Sequence, residues 1–157
     1  MKKWVLVGML LLTICSTTTF VSAAPKVTKM TVHDINQFVE TLDEEETPIF
    51  TAPETITSST TSKTVVVSGV GKAKDKVIIE LYQKADRNTY VCTTEPIEIT
   101  VGALGVFSKE LDVSHSKNVF VLAKIYRKSE WIKDGRFINV VDKEDLKKAL
   151  QNIGKIQ

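Results

Sequence analysis

Cysteine is nearly missing from this chain: Cys15 and Cys92 are the two. Cys15 falls inside the N-terminal apolar run, so the rest of the chain holds one thiol and can close no internal disulfide. Its stability has to come from packing and hydrogen bonds. Histidine is as scarce, with His33 and His115. These two and Cys92 lie far apart in sequence, whereas a zinc site needs several such ligands to converge, so no metal site is assigned. No G-x-S-x-G turn, H-E-x-x-H helix, phosphate-binding glycine loop or dinucleotide glycine motif occurs. Gly69-Val70-Gly71 lacks a third glycine, sits among strands and reads as a turn. Glu95 and Glu98 straddle Pro96 and are expected to face solvent. No cofactor is expected, and no residue is assigned a catalytic role. One catalytic option stays open, Cys92 with His115 beside it, because a nucleophilic thiol needs a base and an electropositive setting. The competing reading makes Cys92 a small core hydrophobe.

Long apolar runs are missing too, except at the start. Lys2 and Lys3 precede an uncharged apolar stretch over residues 4–14, too short for the roughly 20 apolar residues of a membrane span. Val21-Ser22-Ala23 then offers small residues to a signal peptidase. Residues 1–23 are therefore expected to be a cleaved export signal, with Ala24 as the new N-terminus. A cut after Ala24 would leave Pro25 first and is less favourable. A retained anchor and lipidation of Cys15 are the competing fates; Ile14 is bulky for the residue before a lipidated cysteine. No transmembrane anchor is expected in the mature chain, which points to a secreted or cell-surface protein.

Charge is divided along the chain. Residues 24–62 carry two lysines against seven acids, and residues 63–157 carry 17 basic residues against 12 acids. The two parts cancel, so nucleic acid is not an expected partner.

Patterning gives the architecture. In the segment 24–46, Ile35, Phe38, Val39 and Leu42 follow the spacing of one helix face, with Asp34 as a candidate N-cap and Gln37 three residues on. An acidic run, Asp43-Glu44-Glu45-Glu46, follows. Residues 47–62 read as an edge strand and linker, because Pro48 and Pro53 favour extended chain and the stretch 55–62 is rich in Ser and Thr. From residue 64 the pattern is β: a β-branched run at Val65-Val66-Val67, alternation at Val77, Ile79 and Leu81, again at Ile97, Ile99 and Val101, and a longer apolar strand over 119–126. Trp131 is placed in a charged loop, and Gly135 before a last strand at 136–141. Seven or eight short strands separated by turns predict a mainly β sandwich over 47–141. Residues 142–157 predict an amphipathic helix with Asp142 as N-cap and Leu146, Ala149, Leu150 and Ile153 on one face.

Val67-Ser68-Gly69, Lys76 to Leu81, the segment Gly105-Val106-Phe107-Ser108, and Asn118-Val119-Phe120-Val121-Leu122-Ala123 together resemble bacterial immunoglobulin-like domains. Phe120 and Leu122 stand where that family usually has smaller β-branched residues. The resemblance covers roughly residues 47–141. It implies an immunoglobulin-like β-sandwich of the kind found in secreted and surface proteins as spacers or adhesive modules.

Tyr126 and Trp131 are the candidate binding pair, because exposed aromatics near a strand end can stack on sugar rings or anchor a protein. The alternative has Trp131 closing an open end of the sandwich. Phe38 and Leu42 are further candidates, offered to a partner by a first helix that the linker lets move away, whereas the last helix is expected to dock through Leu146, Leu150 and Ile153. The expected function is that of an exported, non-enzymatic structural or interaction module with a protein or surface-glycan partner. A carbohydrate-binding module centred on Trp131, or a small enzyme using Cys92, are the alternatives.

Overall fold

The computed structural model describes residues 28–42, 49–92 and 94–153. The expected export signal, its cleavage site at Ala24, Cys15, the acidic run at 43–46 and Pro48 lie outside the described residues. Among the described residues the chain is mainly β, with one helix before most of the strands and one after them. The elements are β1 (Thr28–Thr31), α1 (Val32–Leu42), β2 (Phe50–Ala52), β3 (Thr57–Thr60), β4 (Thr64–Val70), β5 (Lys76–Lys84), β6 (Thr89–Cys92), β7 (Ile97–Thr100), β8 (Val106–Asp112), β9 (Asn118–Arg127), β10 (Glu130–Val140) and α2 (Lys143–Ile153).

The strands form two sheets. The larger has seven strands in the order β1-β6-β5-β9-β10-β3, with β7 also paired to β5; the smaller is β2-β4-β8. The pairings are antiparallel except β10 with β3. The stretch expected to be edge strand and linker thus supplies two strands, β2 in the small sheet and β3 in the large one.

Strand β9 explains the layering. Its run Val119-Phe120-Val121-Leu122-Ala123 is apolar without a break, which is what a strand buried on both faces requires. Val119, Val121, Ala123 and Ile125 join Val77, Ile79, Leu81, Val67, Phe107 and Leu111 in a core shared by the two sheets. Phe120 and Leu122 point the other way, into a second cluster with Ile35, Tyr82, Tyr90 and Cys92. Helix α1 covers that second cluster. Ile35 is fully buried, and Phe38 meets Phe120 edge to face, with ring centroids 6.2 Å apart.

Helix α1 starts earlier than the sequence pattern suggests. Thr31, not Asp34, is its cap: Thr31 Oγ1 accepts from the Asp34 N–H at 3.1 Å, and Asp34 Oδ2 accepts from the Thr31 N–H at 3.1 Å. This is a capping box, with Asp34 in its third position. At α2 the expected cap is present, since Asp142 Oδ1 accepts from the Glu144 N–H at 2.7 Å.

The expected roles of the helices are reversed. Helix α1 is packed onto the sheet, and Phe38 is half-buried in the second cluster. Helix α2 leaves Leu146 42% and Leu150 61% exposed, so the expected docking through these leucines does not occur.

A buried ion pair closes the gap where the chain crosses from β2 to β3. Asp134 and Arg136 lie on the inner face of β10, opposite Ala123 and Val121. Their side chains are joined by a hydrogen bond. Asp134 Oδ2 also accepts from the Phe50 N–H at 2.7 Å, and the Arg136 guanidinium donates to the carbonyls of Pro53, Gly135 and Phe50. The guanidinium lies 5.4 Å from the centre of the Phe50 ring. Both charges are paired and hydrogen-bonded, the condition for tolerating them in an interior.

Candidate functional site

Outer-face positions of the large sheet alternate with the core positions. On β9 they are Phe120, Leu122, Lys124 and Tyr126; on β10 they are Phe137, Gly135, Lys133 and Trp131. On β5 they are Tyr82, Glu80, Ile78 and Lys76, and on β7 Glu98 and Thr100. Helix α1 packs over the Phe120, Leu122, Tyr82 and Phe137 end. Beyond it, toward the β9–β10 turn, no helix or strand among the described residues packs over the face.

Two aromatic residues dominate that open end. Tyr126 and Trp131 are direct cross-strand partners. Their ring centroids are 5.1 Å apart at an interplanar angle of 54°, and they are 56% and 49% exposed. Cross-strand aromatic contact of this kind orients both rings and limits the rotamers they lose on binding. Trp131 stands on strand β10 and not in a loop, because the strand begins at Glu130 and runs through Gly135. Nor does Trp131 close the core between the two sheets, since its side of the large sheet faces away from the small one. The two strands are joined by Lys128 and Ser129, both at positive φ (47° and 69°). Two consecutive positive-φ residues make the primed turn whose twist matches a hairpin. Neither residue is the glycine or asparagine that announces such a turn.

The next row on this face is cationic. Lys133 lies directly opposite Lys124, which lies opposite Ile78, which lies opposite Glu98. Lys124 Nζ donates to Glu80 Oε1 at 2.6 Å, and Tyr82 Oη donates to Glu80 Oε2 at 2.7 Å. Burial, then the Glu80 carboxylate, pushes the Tyr82 phenol well above the usual tyrosine range. Lys76 and Glu98 form an exposed ion pair at 2.6 Å. Among the described residues Lys133 has no acidic partner.

The other candidates are placed elsewhere. Cys92 is buried in the second cluster, and its Sγ donates to the Thr94 carbonyl at 3.4 Å. Burial first, and Glu80 second, push its thiol above the ordinary value, the opposite of what a nucleophilic thiolate needs. His115 is exposed, with its Nε2 3.6 Å from the Asp112 carboxylate, and His33 is exposed on α1. Among the described residues no cluster of three or more His, Cys, Asp or Glu could hold a metal ion. Phe38 is turned inward, and Leu42, at the end of α1, is half-buried.

The sequence pointed to Tyr126 and Trp131 but not to Lys124, Lys133, Lys76 or Glu98. Strand alternation could have placed Lys124 beside Tyr126, but Lys133 joins them only once Trp131 is known to lie in the same strand. Among the described residues no helix is long and apolar enough to cross a membrane. In comparisons with family models, curated proteins and solved structures, nothing matches this chain.

Proposed function

We propose that this protein is an exported, non-catalytic interaction module of immunoglobulin-like type, engaging a partner through the open outer face of its large sheet. Two features support the type. The small sheet joins β2, β4 and β8, and the large sheet joins β5, β9 and β10 side by side, an order that parallels the A-B-E and C-F-G sheets of immunoglobulin domains. The N-terminal charged and apolar pattern supports export.

The observation that carries the reading is the half-exposed Tyr126–Trp131 pair, which belongs to neither apolar cluster. Large aromatics held by strand backbone and left in solvent are poor contributors to folding and good contributors to binding. Retention of the protein on cell-envelope fragments of the producing cell, compared with Trp131→Ala, tests it. The reading expects wild-type protein to sediment with the fragments and the variant to stay in solution while still folded, with at most a small drop in melting temperature. Equal retention of a folded variant rejects this face.

A further inference from the structure

We infer that the ligand of this face is an acidic polysaccharide, its sugar ring stacked on Trp131 and its carboxylate or sulfate held between Lys133 and Lys124; the inference rests on the interaction reading above. Three observations carry it. First, Lys133 and Lys124 are direct cross-strand partners. Like charges directly opposite one another repel and weaken a sheet. Glu80 offsets Lys124, whose ammonium it draws toward β5 and whose side chain is 24% exposed, so the charge left in excess is carried mainly by Lys133. An anion seated over the pair would neutralise what the strand pairing leaves in excess.

Second, the cations adjoin the aromatics. Trp131 and Lys133 are two residues apart on one strand face, as are Tyr126 and Lys124 on the next. Side chains so spaced stand about 7 Å apart. That is about the reach from the ring of a pyranose to an anionic group on it or on its neighbour. Lys76 and Glu98 continue the hydrogen-bonding rim across β5 and β7.

Third, the open face is small. Four strands at about 4.8 Å spacing and two rows about 7 Å apart give on the order of 300 Å². A stable protein partner needs about 800 Å² per side. Two or three sugar units need no more than the face offers. A lipid surface fits less well, because the face continues from the aromatic pair into Lys133, Lys124 and the exposed Lys76–Glu98 pair, which offer hydrogen bonds to a hydroxylated ligand and no apolar surface to an acyl layer.

The test is equilibrium binding of the whole protein to polygalacturonate, to neutral dextran, and to vesicles of phosphatidylcholine with phosphatidylglycerol. Polygalacturonate is expected to bind at least about tenfold more tightly than dextran, with affinity falling as sodium chloride rises, since exposed charges are screened within about 10 Å at 0.1 M salt. Trp131→Ala and Lys133→Glu should each lose about tenfold while staying folded, Lys133→Glu melting at or above wild type because it relieves the repulsion with Lys124. Lys133→Glu keeps the aromatic pair, so its loss isolates the charge. Equal affinity for dextran, indifference to Lys133→Glu, or binding to vesicles without binding to polygalacturonate each overturns the acidic-glycan assignment. If Trp131→Ala still abolishes envelope retention while polygalacturonate is not bound, the interaction face stands and the glycan falls. If envelope retention is also unchanged, both fall.

Discussion

The ring of Phe120 lies across Gly135, so closely that a methyl group added at Gly135 would stand 2.5 Å from the ring carbon Cζ. It would also stand 3.1 Å from the Phe38 ring. Glycine is present there because the Phe120 and Phe38 rings close over it, Phe120 being held in turn by Phe137, 5.0 Å away between centroids. Helix α1 can approach the sheet only because β10 carries no side chain at that position.

Gly135→Ala should therefore destabilise the protein by about 1–3 kcal/mol, the usual cost of overpacking. Urea unfolding measures it. Combining it with Phe120→Leu should restore part of the loss, because the smaller side chain frees the space; a strictly additive double variant would refute the ring contact as the cause.

The two helices should differ in what they contribute. Ile35 is fully buried, so Ile35→Ala is expected to cost about 2–5 kcal/mol. Leu146 and Leu150 are exposed, so alanine at either should stay within about 0.5 kcal/mol of wild type. Denaturant midpoints of the three variants decide the matter, and a larger loss at Leu146 than at Ile35 would reverse the assignment of the docked helix.

The helix roles could not be read from the sequence because both helices carry similar apolar stripes. What separates them is the sheet. Phe120 and Leu122 give β9 a second apolar face, and that face needs a cover. The uninterrupted run at 119–123 held this information, but a continuous apolar run identifies a buried strand without saying what lies on each side. The period-2 segments at Val77, Ile79, Leu81 and at Ile97, Ile99 were legible because each buries alternate residues in one core. The stretch before Val65 was legible in part: the edge strand is β2, anchored by buried Phe50, whereas β3 reads as linker because its Thr57-Ser58-Ser59-Thr60 has no apolar alternation and pairs with β10 through backbone. Gly69 reads as a turn residue in the sequence, yet it lies inside β4, where an added methyl would stand 2.5 Å from the Phe107 ring.

The hairpin that presents the aromatic pair was hidden for a different reason. Lys128 and Ser129 adopt positive φ without the residue types that favour it. Left-handed backbone costs an L-residue roughly 1–2 kcal/mol. Ser129→Gly should accordingly raise stability by up to about 1 kcal/mol, offset in part by the freer unfolded chain. A thermal melt reads this as a small upward shift, and a clear drop would mean that the Ser129 side chain has a role of its own.

Asp134 and Arg136 hold the crossover between β2 and β3. Asp134→Ala leaves a buried guanidinium without its carboxylate and the Phe50 N–H without its acceptor. The expected cost is about 3–5 kcal/mol. Replacing both residues with apolar ones should cost less than replacing Asp134 alone, because no charge is then stranded. Urea midpoints of the single and double variants test this, and a double variant at least as unstable as Asp134→Ala would contradict it.

Stability should fall at both ends of the pH range, for opposite reasons. Burial works to raise the Asp75 carboxyl, but hydrogen bonds and charge from Arg127, with the Lys72 N–H, outweigh it and hold it below the ordinary aspartate value of 3.8. A carboxyl whose folded value lies below its unfolded value contributes stability above the unfolded value and loses it as pH falls through the folded one. Cys92 and Tyr82 are raised by burial and by Glu80, so their contribution is full below their unfolded values, near 9.0 and 10.0, and is lost as pH rises through the folded ones. Urea midpoints should hence form a plateau through neutral pH, with losses below about 4 and above about 9. Asp75→Asn should be less stable than wild type at pH 7. The gap should narrow as pH falls below the unfolded carboxyl value, because a protonated carboxyl and a carboxamide at that position are both neutral. Cys92→Ala should lose the cysteine share of the alkaline decline while carrying the cost of a small cavity at all pH values. A gap between wild type and Asp75→Asn that stayed constant from pH 7 to pH 2 would show that the carboxylate charge at Asp75 contributes nothing.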